Sequence, residues 1–388
     1  MTIQEGYFCG ILPMPSPKFT VRNVQAFCYR YPLATPVVTS FGRMLNRPAV
    51  FVRVEDEDGY VGWGEVWSNF PSTGAEHRTR LVNEILAPAI HGRGVSEPAE
   101  LFAAMTEGTA VLALQSGEPG PFAQAIAGID LALWDLHARR RKVPLWKMLG
   151  GTGNRIKVYA SGINPIGSRQ TAEAALRRGH LALKLKVGFD PATDRSNLAA
   201  LRDIVGAGVL AADANQAWSL ARALELAPSY GEFGLAWLEE PIRADRPWHE
   251  WQTLSEQAGV PLAAGENIAS SAGFDQALHD RVLRVVQPDI AKWGGLTVGA
   301  KIARSILAAD KIFCPHYLGG GIGLLASAHL LAGVGGAGML EVDSNDNPLR
   351  DRLCGPVADV KDGAVTLSEE PGLGIEPDLS WIEEYRTA

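Results

Sequence analysis

The chain lacks the features that would tie it to an oxidising compartment, a membrane or a polyanion. Its four cysteines (Cys9, Cys28, Cys314 and Cys354) are scattered with no CxxC pair, so free thiols in a cytoplasmic protein are expected. No uninterrupted apolar run is long enough to span a bilayer. The opening stretch MTIQEGYFCGILPMPSPKF has neither a basic start nor a long apolar core, so no signal peptide is expected. Positive charge is not in excess: 36 Lys and Arg face 43 Asp and Glu, a net charge of −7. That disfavours nucleic acid or an anionic membrane surface as a partner, while leaving room for a local positive pocket.

What is present is a globular composition, 46% hydrophobic and 20% charged, over 388 residues. That length suits a barrel of ordinary size plus an accessory domain. Residues 19–68 read as antiparallel strands, and AVFVRVEDEDGYVGWGEVW is two alternating runs around Asp58-Gly59, a hairpin signal. Residues 76–148 read as mostly helical, with Ile126, Ile129, Leu133 and Leu136 at helical spacing. Pro144 is expected to stop that helix, and Gly150-Gly151 marks a boundary. Residues 1–150 are therefore expected to form an α+β capping domain.

From about Val158 the pattern changes. Eight short apolar runs alternate with helical stretches: KVYASG, LALKLKV, LAADANQ, LAWLEEP, PLAAGEN, RVVQPDI, IFCPHY and GMLEVD. A polar residue ends nearly every run. From Lys186 the steps to Asp213, Glu239, Glu266, Asp289, His316 and Glu341 are 27, 26, 27, 23, 27 and 25 residues. One βα unit per step, eight times, predicts a (β/α)8 TIM barrel over 151–344, with these strand ends converging on one mouth. Residues 345–388 have too few apolar residues to fold alone and are expected to pack back on the capping domain.

Asp213, Glu239 and Glu266 end three successive strands. Three carboxylates at one mouth repel each other and call for a cation, and all-oxygen ligation favours Mg²⁺ over zinc. Glu239 and Glu240 are adjacent, so alternation lets only one face the mouth. Asn215 shares a face with Asp213 and could bond a substrate hydroxyl or serve its own turn. His316 and Asp289 end neighbouring strands. A bond from Nδ1–H to Asp289 would fix the tautomer, raise the histidine pKa and leave Nε2 as an acid or base. Glu341 could bond a bound carboxylate if protonated or a hydroxyl if ionised, and Asp343 shares its face. Lys184 and Lys186 share one face of a strand that otherwise reads as buried, which is costly unless anions meet them. HYLGGGIG, before an expected helix, reads either as a phosphate-binding turn or as a tight turn giving space beside His316.

Taken together, K-x-K in LKLKVG, D-x-N in ADANQ, WLEEP, GEN, QPDIAKWGG and the His of CPHY resemble the enolase superfamily, in its mandelate racemase subgroup. IDLALWDLHARRRKVPLWKMLGG resembles that family's linker into the barrel, so the likeness covers most of the chain. The resemblance implies Mg²⁺ held by Asp213, Glu239 and Glu266. It implies Lys186 as one acid/base, with Lys184 lowering its pKa and contacting a substrate carboxylate. It places His316, supported by Asp289, as the base on the opposite face, with Glu341 assisting. A lysine ends the sixth strand in the muconate-lactonizing subgroup; Asp289 stands there here, and Lys292, three residues on, carries no assigned chemistry. The glycine-rich stretch between His316 and Glu341 is longer than in the family pattern.

The implied reaction is abstraction of the α-proton of a carboxylate through an enolate, which cations stabilise as charge develops on its oxygens. Return of a proton to carbon makes a racemase or epimerase of a 2-hydroxy acid; loss of a β-hydroxyl makes an acid-sugar dehydratase. By resemblance specificity lies in two cap loops, 34–42 and 65–78. There Val37, Val38, Phe41, Trp67 and Phe70 offer apolar walls, and Ser40, Asn69, His77 and Arg78 could bind hydroxyls or a second carboxylate. The apolar loops favour the racemase/epimerase reading by a small margin. An inactive barrel that only binds a carboxylate is the alternative of a different class. The expected partners are a small carboxylate and further copies of the chain.

Overall fold

The computed structural model describes residues 18–39 and 42–388. Ser40 and Phe41 of the first cap loop lie outside the described residues, as does Cys9. In the cap, β1 (Phe19–Thr39) and β2 (Gly42–Asp56) form a long antiparallel hairpin. Joined by β3 (Val61–Val66) and β4 (Gly94–Val95), they make a sheet of order β3-β2-β1-β4. The turn expected at Asp58-Gly59 forms because Asp56 Oδ1 accepts from the backbone N–H of Asp58 and Tyr60, and Gly59 takes φ 85°. Two helices, α1 (Pro98–Ser116) and α2 (Pro119–Arg140), pack on this sheet. The second ends before Pro144, where Lys142 turns to φ 55°, so the proline opens the next helical turn rather than stopping this one.

The eight expected strands are all present: β5 (Arg155–Ile163), β6 (Ala182–Lys186), β7 (Val209–Asp213), β8 (Leu238–Glu239), β9 (Leu262–Ala264), β10 (Leu283–Val286), β11 (Ile312–Phe313) and β12 (Met339–Asp343). They are parallel in the order β12-β5-β6-β7-β8-β9-β10-β11. The β11–β12 seam has no ladder and closes by contact. Met339 N–H points to Cys314 Sγ at 3.4 Å, and a Cβ on Gly338 would run into the Phe313 carbonyl. Around the barrel lie α3 (Ser168–Arg177), α4 (Pro191–Val205), α5 (Leu220–Tyr230), α6 (Trp248–Gln257), α7 (Ser271–His279), α8 (Gly295–Ala308) and α9 (Gly321–Val334). Three of them open on side-chain caps. Asp190, Ser219 and Ser270 accept from Thr193, Arg222 and Gly273 N–H, each worth about 1 kcal/mol.

Alternation along β6 sorts its residues. Leu183 and Leu185 join the apolar layer under the helices, while Ala182 faces the barrel axis. That axis is filled by Tyr159, Ala182, Ala211, Trp237, Ala263, Val285 and Cys314. This plug is the floor on which the polar strand ends sit. Carboxylates of the cap tie it to the barrel and to the tail. Asp130 on α2 accepts from Thr297 N–H and Oγ1 at 2.9 and 2.6 Å at the start of α8, and Asp135 accepts from Trp63 and Leu373 N–H. The tail serves both units. Strand β13 (Ala364–Thr366) pairs antiparallel with β5, and residues 380–388 then lie along β1, where Thr387 and Ala388 bond to Cys28.

Candidate active site

The strand ends meet in one buried constellation. Lys184 is fully buried, with Nζ 2.5 Å from Glu239 Oε2, 2.8 Å from Glu341 Oε1 and 3.7 Å from Asp213 Oδ2. Tyr159 lies beneath it, ring centroid at 5.4 Å. Lys186, one pleat outward, reaches Asp213 Oδ2 at 2.5 Å and lines a cavity of about 220 Å³. Opposite, His316 Nδ1 is 2.8 Å from Asp289 Oδ2, and Nε2 is 2.7 Å from Glu266 Oε2. Asp289 is itself oriented, its Oδ1 accepting from Ala291 and Lys292 N–H. Glu341 also accepts from Ser161 Oγ at 2.5 Å.

Charge pairing sets the protonation states. Burial raises the Glu341 carboxyl, but Lys184, His316 and Lys186 outweigh it and hold it down at about 2, so it is ionised. Burial opposes charge on His316, yet Glu266, Glu341 and the Asp289 hydrogen bond keep the imidazole well above its ordinary range. For Lys186 the structure corrects the expectation of a lowered pKa. Burial and Lys184 do push it down, but Asp213 at 2.5 Å prevails and the ammonium is held above its usual value. Glu239 goes the other way, pushed up to about 7 by burial and the neighbouring Asp213 despite Lys184.

Of the adjacent pair only Glu239 joins the Lys184 cluster, as alternation requires, yet Glu240 is not sent to solvent. The chain leaves the strand there at φ 39°, so Glu239 and Glu240 are both buried. Glu239 joins Lys184 and Gln287 Nε2 (2.8 Å), while both Glu240 oxygens accept from Asn267 Nδ2 at 2.9 and 3.0 Å. Asp343 shares the inward face with Glu341 and is taken by Arg47 of β2 at 2.6 Å. Asn215 stands at φ 44° with its backbone and side-chain N–H on Asp213, and it lines the cavity. Asn69 lines it too, but its Nδ2 donates to the Leu318 carbonyl at 2.5 Å. Val37, Trp67 and Phe70 form the apolar wall. Arg78 turns instead to Gln124 and the Phe70 carbonyl, and His77 to Glu118, so neither lines the cavity.

Residues 21–150 match the sequence profile of the mandelate racemase/muconate lactonizing enzyme N-terminal domain, and residues 168–381 that of the enolase C-terminal domain-like family. The chain belongs to the mandelate racemase/muconate lactonizing enzyme family of the enolase superfamily. Its fold superposes, with a TM-score of 0.90 and 52% identity, on a mandelate racemase/muconate lactonizing enzyme structure from Bordetella bronchiseptica RB50, covering 95% of this chain and 100% of that one. An arabinonate dehydratase of Saccharolobus solfataricus is 28% identical over 345 residues, 87% of this chain and 90% of the relative. A racemase from Streptomyces coelicolor A3(2), solved with bound magnesium, is 26% identical with a TM-score of 0.84, over 95% of this chain and 100% of that one. Relatives of this enzyme thus include both dehydratases and racemases, and no helix among the described residues is long and apolar enough to cross a membrane.

The donor set of this family member suits Mg²⁺ in kind, since Asp213, Glu239 and Glu266 offer only oxygen. Their carboxylates now serve cations of the chain itself: Lys184 and Lys186 on one side, Lys292 and His316 on Glu266. Among the described residues no group of three or more Asp, Glu, His or Cys side chains is disposed to hold a metal ion. Metal binding therefore means displacing lysine contacts.

Further residues line the cavity without having been assigned a role from sequence, Lys292, Arg47, Asn164 and Asn345 among them. Lys292 lies 2.9 Å from Glu266 with its Nζ 4.8 Å from the Trp67 ring centre. Arg47, Asn164 and Asn345 form a polar flank. Lys292 was legible three residues beyond Asp289; nothing in the alternation of β2 singles out Arg47.

Proposed function

We propose that the protein is an acid-sugar dehydratase, removing the α-proton of a polyhydroxylated carboxylate and expelling its β-hydroxyl. The observation that carries this reading is the cavity wall. Asn164, Asn215, Gln216, Asn267 and Asn345, with Arg47, ring the space above Lys186 and His316. Amides both donate and accept, which matches a chain of hydroxyls rather than an aromatic ring. The arabinonate dehydratase relative supports the same class.

Bound at Asp213, Glu239 and Glu266, Mg²⁺ would supply electrostatic stabilisation of the charge that develops on the substrate carboxylate. The chain does the rest. Lys184 adds a fixed, desolvated cation beside Glu341. With Asp213 engaged as a metal ligand rather than by Lys186, that lysine would be the free amine that takes the α-proton, and the electron pair of the C–H bond passes into the enolate. His316 donates its Nε2 proton to the β-hydroxyl as the C–O bond breaks, so water leaves. The remaining enol tautomerises to a 2-keto acid. Asp289 keeps the Nδ1 proton in place and stabilises the imidazolium beforehand.

A second reading, racemisation, draws on the same pair: Lys186 at the end of β6 and His316 after β11 both line the cavity, and two bases there could return a proton to the other face of carbon. Incubation with Mg²⁺ in D₂O and a panel of aldonates, aldarates and aryl 2-hydroxy acids separates the outcomes. A 2-keto product from an aldonate or aldarate is expected. α-Deuteration without loss of water would overturn dehydration in favour of racemisation. No exchange on any substrate would leave the carboxylate-binding reading.

A further inference from the structure

We propose that Glu65, at the end of β3 in the cap, is a positioning residue for His316. Its carboxylate is 1% exposed and sits on the start of α9, accepting from Gly320 N–H at 2.5 Å and Gly323 N–H at 2.9 Å. These are the otherwise unpaired first amides of a helix that begins five residues after His316. The glycine run of HYLGGGIG is thereby explained. An internal carboxylate fills the anion site at this helix N-terminus, and side chains at Gly319 or Gly320 would collide with Tyr317 or Glu65.

Glu65 does not act alone. Alternate residues of the same cap segment grip both loops that carry the acid/base pair. Asn69 Nδ2 holds the Leu318 carbonyl, two residues past His316. Trp67 N–H points to the Ala291 carbonyl at 3.5 Å, two residues past Asp289, and its ring lies against Lys292. One stretch, Glu65–Trp67–Asn69, thus fixes the 289–292 and 316–323 loops relative to each other, and with them the 2.8 Å contact of His316 and Asp289. Lys186 belongs to β6 and has no contact with this segment among those described. The cap therefore sets one base and leaves the other alone.

The inference rests on Lys186 and His316 being the opposed bases, not on the fate of the enolate. Glu65→Gln keeps the shape but turns an N–H₂ toward one of the two amides. With misplacement of a catalytic group by about 1 Å costing roughly 10²-fold, Glu65→Gln is expected to lose about that much in the steps His316→Asn abolishes. The steps Lys186→Ala abolishes stay within about twofold. Glu65→Asp, which keeps the charge and retracts it, falls between. Asp135→Asn, another buried cap carboxylate, contacts neither loop; it is expected to lower the melting temperature without changing the ratio of the two steps. The second measurement needs no substrate. The side-chain ¹⁵N resonances of His316, assigned through His316→Asn, are expected to shift in Glu65→Gln and to stay in Asp135→Asn. Equal loss of both steps, or an unmoved His316 resonance, overturns the proposal. If no substrate exchanges at all, the functional reading fails and the resonance still decides the role of Glu65.

Discussion

Replacing Lys184 by Met tests the charge logic of the whole site. Lys184 is 0% exposed and is the common partner of Glu239, Glu341 and, at longer range, Asp213. Methionine keeps most of the volume, so the change is one of charge rather than packing. Breaking a buried ion pair from one side costs about 3–5 kcal/mol. The lower end applies, because Glu239 already sits at about 7 and can take up a proton instead of staying ionised. About 3 kcal/mol is a change of roughly 150-fold in the unfolding equilibrium. The pH dependence has a definite sign. A carboxyl whose folded pKa lies above its unfolded value favours folding most at low pH, and that contribution is lost as pH rises through the folded pKa. Glu341, held at about 2 by Lys184, contributes a part of the Lys184→Met deficit that is already present at pH 5, and the Glu239 part should add to it between pH 5 and pH 8. Urea unfolding in EDTA at both pH values measures it. Adding Mg²⁺ should stabilise the variant more than the parent chain, since the same carboxylates then lack their lysine. A variant as stable as the parent at pH 8 in EDTA would refute the reasoning, as would a deficit independent of pH.

Arg47 meets Asp343 at 2.6 Å with both side chains nearly inaccessible, and Arg350 approaches the same oxygen at 3.4 Å, so Arg47 on that flank of the cavity is already engaged by an internal carboxylate. A monocarboxylate should be preferred over a dicarboxylate of equal length, and Arg47→Met, which leaves Asp343 to Arg350 and Asn345, should raise KM for hydroxylated substrates about tenfold or more with kcat less affected; steady-state kinetics on matched aldonates and aldarates decide it. Arg30 holds the Glu76 carboxyl down at about 2, helped by Thr387 of the tail. This contribution is present above the unfolded value and lost as pH falls from about 4.5 toward 2. Glu76→Gln should flatten that part of an acid-unfolding curve monitored by circular dichroism.

The barrel was legible because its signal repeats: an apolar run, a polar end, and a step of 23 to 27 residues. The same register put Lys186, Glu266, His316 and Glu341 on one cavity and Lys184, Asp213 and Asp289 in the ion pairs beside it, since alternation within short parallel strands leaves little choice of face. One reading failed, where a contact overrode burial. Lys186 is held charged because Asp213 touches it, which no spacing reveals. Arg47 and Glu65 were illegible for a further reason. They act across the cap–barrel interface, so their partners, Asp343 and the start of α9, are set by docking and not by their own strand's period.

The route of the tail has a consequence for how the molecule comes into being. Residues 364–366 extend the barrel at β5, while 380–388 line the cap beside Cys28 and Tyr29. The cap begins with β1 near the front of the chain yet is finished only by its last stretch. During synthesis the barrel strands are all made before β1 can gain the neighbour that the tail supplies. An exchange of caps between relatives would have to carry two separate pieces of chain, or it would leave β1 without its neighbour.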